Sequence, residues 1–427
     1  MEIINSIIQF VMDLGGAIFL PIMITVLGLI FGIKFFDSLK NGLRIGIGFI
    51  GINLIIGLLI DGLDPVVMHY VDAGAGFTIT DIGWEGIASI AWSTKFALII
   101  VPLGMILNFI LIRLRFTKTM DVDVWNYFHF ILGAAVAYYV ALGAGASEAV
   151  ATVIGIVFGL LTFVAVLKFA DMIAPKWQSY YGLEGTTCCN NDAYVVWFIN
   201  WAVCKVMDLI PGVKNVKIDL KWINDKLGSF GETSVLTFFV GILLCVITGQ
   251  NLSTTLTVSV TLCAAIILLP RMVSLLMEGL VPISNAARKF FQKHLGSDYE
   301  VVIGMDEALC LGDQPGLECA VIMIPITVAV SFLPGIGVFP LAGLGSLAYT
   351  TCMCSLYAEG DIFKIIVSST ACQIYCLYAY TFMAPLATQM AYTAGYISST
   401  STLVTGSSIE EWNCMLVGII GKLFKAW

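Results

Sequence analysis

Ten stretches of this chain run for about the thickness of a bilayer with almost no charge. They lie near 17–33, 43–61, 96–112, 124–142, 148–168, 231–248, 254–270, 316–333, 341–357 and 365–384. About 20 apolar residues are enough for a helix to cross the hydrocarbon core. Water is absent there, so every backbone N–H and C=O needs a partner within the protein, and a helix supplies one at each residue. Composition agrees: 59% of the 427 residues are hydrophobic and only 12% are charged, against about a quarter in soluble domains. The sequence therefore predicts an all-α polytopic membrane protein with membrane lipid around it. Counting 402–421 as a possible last span, it has about 10–11 transmembrane helices. No basic patch with interleaved aromatics points to nucleic acid. Residues 1–16 lack a basic start and read as an amphipathic N-terminal segment.

The twelve cysteines lie mostly inside apolar runs, where cysteine acts as a small hydrophobe. No C-x-x-C pair occurs and the three histidines are scattered, so neither a metal nor a cofactor is expected.

The second half echoes the first. Residues 58–66 (L-L-I-D-G-L-D-P-V) match 275–283 (L-L-M-E-G-L-V-P-I) at an offset of 217. Ile82-Gly83 matches Ile303-Gly304 at 221, Val101-Pro102 matches Ile324-Pro325 at 223, and Ala174-Pro175 matches Ala384-Pro385 at 210. Cations separate the copies. Lys34, Lys40, Arg44, Arg113, Arg115 and Lys118 follow the odd spans of the first copy, whereas 248–254, 333–340 and 385–400 carry none. Arg271, Arg288, Lys289 and Lys293 sit instead where the first copy has Asp61, Asp64 and Asp72. Because cations collect on the cytoplasmic side, the copies are expected to have opposite orientations. That is an inverted repeat of two five-helix units, 17–185 and 230–396. A cytoplasmic interfacial linker, 186–229, is expected between them with Trp197, Trp201 and Trp222 as anchors, and 397–427 is left as a C-terminal segment.

Two inserts, 64–95 and 282–315, are rich in glycine and acid and do not read as spans. Paired re-entrant hairpins there would meet near the midplane, where broken backbone and acids can grip a solute. An intramembrane acid is a functional candidate by default. Asp306 occupies the second hairpin, and the 221 offset puts Glu85 in the matching place of the first. Trp84 supplies a ring face. Glu232 opens the sixth span, and Asn126 and His129 lie inside the fourth. With Asp313, these residues form the expected substrate site, with Asp306 and Glu232 as catalytic candidates. Their mixture of acids, amides and rings suits a polyol or sugar.

Seven motifs carry a resemblance. They are 42–54 (G-L-R-I-G-I-G-F-I-G-I-N-L), 81–84 (D-I-G-W), 117–130 (T-K-T-M-D-V-D-V-W-N-Y-F-H-F), 182–187 (G-L-E-G-T-T), 230–232 (F-G-E), 268–288 (L-L-P-R-M-V-S-L-L-M-E-G-L-V-P-I-S-N-A-A-R) and 303–309 (I-G-M-D-E-A-L). Together they resemble the membrane (IIC) component of the galactitol-type phosphotransferase system, in the ascorbate-galactitol superfamily. The likeness covers roughly 15–390, and its long block at 268–288 is the most specific part. It implies an elevator-type transporter in the bacterial cell membrane, a homodimer, and inward translocation of galactitol or a similar polyol. It also implies phosphorylation by a phosphocysteine on a separate soluble IIB protein, itself served by IIA, so Cys188-Cys189 is not the phosphoryl carrier. The sequence departs from the family at 188–192 (C-C-N-N-D). Without the resemblance, an ion-coupled secondary transporter of a polar solute uses the same repeat.

Overall fold

A computed structural model describes residues 21–22, 24–72, 76–123, 126–213, 218, 233–296 and 300–427. The chain is mostly helical. Among the described residues, four helices are long and apolar enough to cross a membrane. They are α5 (Glu148–Tyr181), the greater part of α8 (Leu252–Leu295), α9 (Gln314–Ser331) and α11 (Ile362–Thr393). A further apolar pair, α2 (Gly83–Trp92) and α3 (Ala97–Arg113), is bent by 90° at a short break, the shape of a broken span or of a re-entrant loop. Other expected spans fall on shorter helices: α4 (Tyr127–Gly143), α7 (Thr233–Ile247) and α10 (Leu347–Ala358).

The longest helices start earlier or end later than hydropathy suggests. The helix α1 (Phe35–Asp72) continues through Pro65, and α8 continues through Pro270 and Pro282. The inserts expected at 64–95 and 282–315 therefore begin within these helices and are shorter than expected. A helix continues through proline in a membrane where neighbouring groups satisfy the freed carbonyl. α1 and α8 lie closely together because glycine faces backbone. A Cβ on Gly279 would stand 2.5 Å from the Asn41 carbonyl oxygen, and one on Gly48 would stand 2.9 Å from the Leu276 nitrogen. Small residues at such crossings replace the hydrophobic drive that lipid removes.

The expectation of a purely helical fold is corrected by five short strands in two parallel sheets: β1 (Ile79–Asp81), β2 (Thr119–Asp121), β3 (Thr186–Cys188), β4 (Val302–Met305) and β5 (Leu403–Thr405). With them a second regularity appears. The order long helix, strand, short helix, helix, extended crossing, helix, long helix, strand, helix occurs twice. It runs α1-β1-α2-α3-β2-α4-α5-β3-α6 (α6, Asp192–Leu209). It then runs α8-β4-310 helix (Glu307–Gly312)-α9-Val338-α10-α11-β5-α12 (α12, Trp412–Leu423). The copies exchange strands. β1 pairs with β5, Ile79 opposite Leu403, and bridges to Val338. β4 lies between β2 and β3, with Thr119 opposite Val302 and Thr186 opposite Ile303.

Two further expectations change. Residues 402–421 are not a span: β5 and a 12-residue α12 replace it. Such a helix is about 18 Å long, short of the roughly 30 Å core. Within the expected linker, 186–209 is built into the protein. Trp197 is 2% exposed and donates its Nε1 hydrogen to the Met353 carbonyl at 3.1 Å, so it is a core residue and not an interfacial anchor. Trp201 does face outward, at 44% exposure. Residues 214–217 and 219–229, Trp222 among them, lie outside the described residues, as do residues 1–16.

Candidate functional site

The two strand exchanges bring the tips of the broken segments to one cavity. Each tip is held by an aspartate that caps the turn after its strand. The Asp81 Oδ1 atom accepts from the Gly83 N–H at 2.9 Å, and the Asp306 Oδ1 atom accepts from the Ala308 N–H at 2.7 Å. A carboxylate at that position satisfies donors that a helix start leaves free. The equivalent of Asp306 is therefore Asp81, an offset of 306 − 81 = 225, and not Glu85 as the 221 offset predicted. The remaining oxygens separate the two. The Asp81 Oδ2 atom accepts from the Gly343 N–H at 2.9 Å, whereas the Asp306 Oδ2 atom accepts from the Asn190 amide at 3.1 Å.

Asp306 and its neighbour Glu307 line the cavity with Trp84 from α2, His129 from α4, Asn190 and Asp192 before and at the start of α6, Tyr349 from α10, Gln373 and Tyr380 from α11, and Glu410. Among the described residues, no lysine or arginine lines it. The polar groups are bonded to one another. The Asn190 Oδ1 atom accepts from the Asp192 N–H at 2.9 Å, and the Ser408 hydroxyl donates to Asp192 at 3.0 Å. The Tyr380 hydroxyl donates to Glu410 at 3.3 Å and exchanges a bond with Ser407 at 2.7 Å. Behind the wall, His129 Nδ1 is paired with Glu411, whose other oxygen accepts from the Asn191 amide. Asp306, Glu307 and Glu410 lie outside the spanning helices, and burial pushes all three carboxyls above the usual carboxylate range. For Glu307 and Glu410 the nearby Asp192 carboxylate adds to the rise; for Asp306 the Ala308 N–H and the Asn190 amide oppose it. The Glu307 Oε2 and Glu410 Oε2 atoms are buried without a hydrogen-bond partner among the described residues. A wall of this kind can accept hydrogen bonds at Asp306 and exchange them at the raised glutamates.

The structure brings Trp84, His129 and Asp306 together at this cavity. It does not bring the other expected residues into the lining. Glu85 is exposed beside it on α2. Asp313 caps α9, accepting from the Gly316 N–H at 2.8 Å and from the Tyr180 hydroxyl at 2.9 Å. Asn126 is fully buried at the start of α4, and its amide atoms have no partner among the described residues. Glu232 lies outside the described residues. Sequence reasoning missed Asp192, Tyr380, Glu410 and Glu411 as site residues. The last two carried a signal: an acidic pair at the centre of a proposed span is as anomalous as Asp306.

Apolar helices around a cavity lined by carboxyl groups and aromatic rings have the build of a multi-pass solute permease. The comparisons narrow the class. The family model for EIIC-GAT, the sugar-specific permease component of the PTS system, matches residues 10–400, and the chain belongs to that family. A protein of Escherichia coli (strain K12), provisionally named a permease IIC component, is 31% identical over 424 residues, 97% of this chain and 94% of its own. The PTS system galactitol-specific EIIC components of Escherichia coli (strain K12) and Escherichia coli O157:H7 are each 29% identical over 413 residues, 96% of this chain and 90% of theirs. This is a multi-pass protein of the bacterial inner membrane.

Proposed function

We propose that this chain is the IIC component of a sugar-alcohol phosphotransferase system. It carries galactitol or a similar polyol inward, and a separate IIB protein, recharged by IIA, phosphorylates it. The observation that carries the reading is the cavity between the two tips, with four lining carboxyl groups, aromatic walls and no lysine or arginine among the described residues. A polyol offers only hydroxyls, which carboxylates bind well, whereas an anionic sugar would meet repulsion. The galactitol-specific names of two relatives point the same way. Asp306, Trp84 and His129 contact the polyol; Asp192, Glu307, Glu410 and Tyr380 complete its shell. Asn126, Glu232, Glu85 and Asp313 are the outer part of the proposed site.

The two copies are an inverted repeat joined by the strand exchange, and the family resemblance adds elevator movement within a homodimer. Cysteines introduced at Lys40 and Lys293 are then reached by labels from the cytoplasm, and those at Ala144 and Pro334 from outside. Lys40 and Lys293 on opposite faces would overturn the inversion. Lys289 and Lys293, exposed at the end of α8, belong to the seat for acidic or phosphorylated IIB.

The function is tested by galactitol uptake in cells with and without IIA and IIB. Uptake that requires both, yields galactitol phosphate, and survives collapse of the proton gradient supports the proposal. Uptake without them that stops with the gradient identifies an ion-coupled transporter instead.

A further inference from the structure

One group on the cavity wall has a free valence and a fixed partner behind it. His129 is 1% exposed and lines the cavity; its Nδ1 is paired with Glu411, and its Nε2 has no hydrogen-bond partner among the described residues. Glu411 is 0% exposed and is itself held, its second oxygen accepting from Asn191. Asn191 is fixed in turn: its amide donates to Asn413 at 2.9 Å, and its oxygen accepts from the Trp412 indole at 2.7 Å. Glu411 as a carboxylate is an acceptor only, so Nδ1 carries the hydrogen and Nε2 presents a lone pair. Asp306, the other candidate for a proton acceptor, already accepts from the Ala308 N–H and the Asn190 amide, and these bonds make its carboxylate a weaker base.

Resting on the proposed function, we propose that His129 is the general base of polyol phosphorylation and that Glu411 is its positioning residue. A substrate hydroxyl oxygen attacks the phosphorus of the phosphocysteine on IIB. The new O–P bond forms as the P–S bond breaks, the thiolate leaves with the electron pair, and the hydroxyl proton passes to His129 Nε2. The Glu411 carboxylate steadies the imidazolium that results, as the buried acid does in Ser-His-Asp sites. Release of the proton to water after the phosphorylated polyol departs restores the neutral ring.

Two measurements test this with galactitol as the probe. The first uses wild-type protein in nanodiscs with 15N-labelled histidine. Only three histidines are present, and His69 and His294 are assigned by substitution. His129 is expected as the Nδ1–H tautomer, with an Nε2 resonance that moves on adding galactitol. An Nε2–H tautomer overturns the positioning role, and an unmoved resonance under saturating galactitol overturns the contact. The second measures galactitol binding and single-turnover phosphorylation from phosphorylated IIB across a pH series. At saturating galactitol, His129→Gln and Glu411→Gln should transfer about 10²- to 10⁴-fold more slowly, whatever their affinity. The His129→Gln rate should lose the acid-side fall of the wild-type profile, and Glu411→Asp should recover part of the loss. Wild-type transfer rates in both Gln variants overturn the proposal. A wild-type protein that neither binds nor phosphorylates galactitol overturns the proposed function, while the tautomer still decides the role of Glu411.

Discussion

The two hairpin tips are built alike and used differently. At each, a strand is gripped by strands from the other copy and an aspartate caps the turn that follows. Asp81 spends both oxygens on backbone, the Gly83 and Gly343 N–H groups, and so locks its tip in place. Asp306 spends one on backbone and one on the Asn190 side chain at the cavity. A backbone donor cannot be withdrawn without unfolding the turn, whereas a side-chain amide can rotate toward a ligand. The same acid is therefore structural in one copy and available for binding in the other.

The largest effects should come from closing the glycine contacts under each tip. A Cβ on Gly406 would stand 2.4 Å from the Gly83 carbonyl oxygen, and one on Gly304 would stand 2.3 Å from the Cys189 sulfur. Backbone cannot move aside as a side chain can. Gly406→Ala should therefore cost about 3 kcal/mol and Gly304→Ala about 1–2 kcal/mol, read from thermal melts in detergent. Equal losses would break the distinction between the tips.

Next come the aspartates. Asp306→Asn removes an acceptor at the cavity and should weaken galactitol binding about 10- to 100-fold while the protein still assembles. Asp81→Asn should leave binding per folded molecule unchanged and cost about 1–3 kcal/mol of stability, because its amide nitrogen cannot accept from the Gly343 N–H. Isothermal titration and melting curves on the same samples check both.

The sequence made the first tip's aspartate hard to recognise. A repeated order of elements was legible from the proline-bearing blocks, and Asp306 stood out as an acid between apolar runs. The four-residue shift from offset 221 to 225 was not legible, because strand register depends on partners hundreds of residues away. The strands themselves are three or four residues long, too short for an alternating pattern to show. Trp84 and His129 were legible as polar-capable residues in apolar surroundings. Glu410 and Glu411 were hidden by the apolar residues on either side of them, which gave 402–421 the average composition of a span. Asp313 caps a helix, and a helix cap and a binding acid look the same in sequence.

Smaller effects sharpen the boundary of the cavity. Trp84→Ala should weaken galactitol binding about three- to tenfold, the scale of one aromatic face. Glu85→Gln and Asp313→Asn should change it less than about twofold, as expected for groups away from the ligand. A large loss at Glu85 with none at Trp84 would turn the first tip around.

The most direct test is a cryo-electron microscopy structure of the wild-type protein in nanodiscs at saturating galactitol. The account predicts density for one polyol between the Trp84 ring and the Asp306 carboxylate, within hydrogen-bond reach of His129 Nε2. Galactitol bound elsewhere, with this cavity holding only water at a concentration that saturates binding, would contradict it.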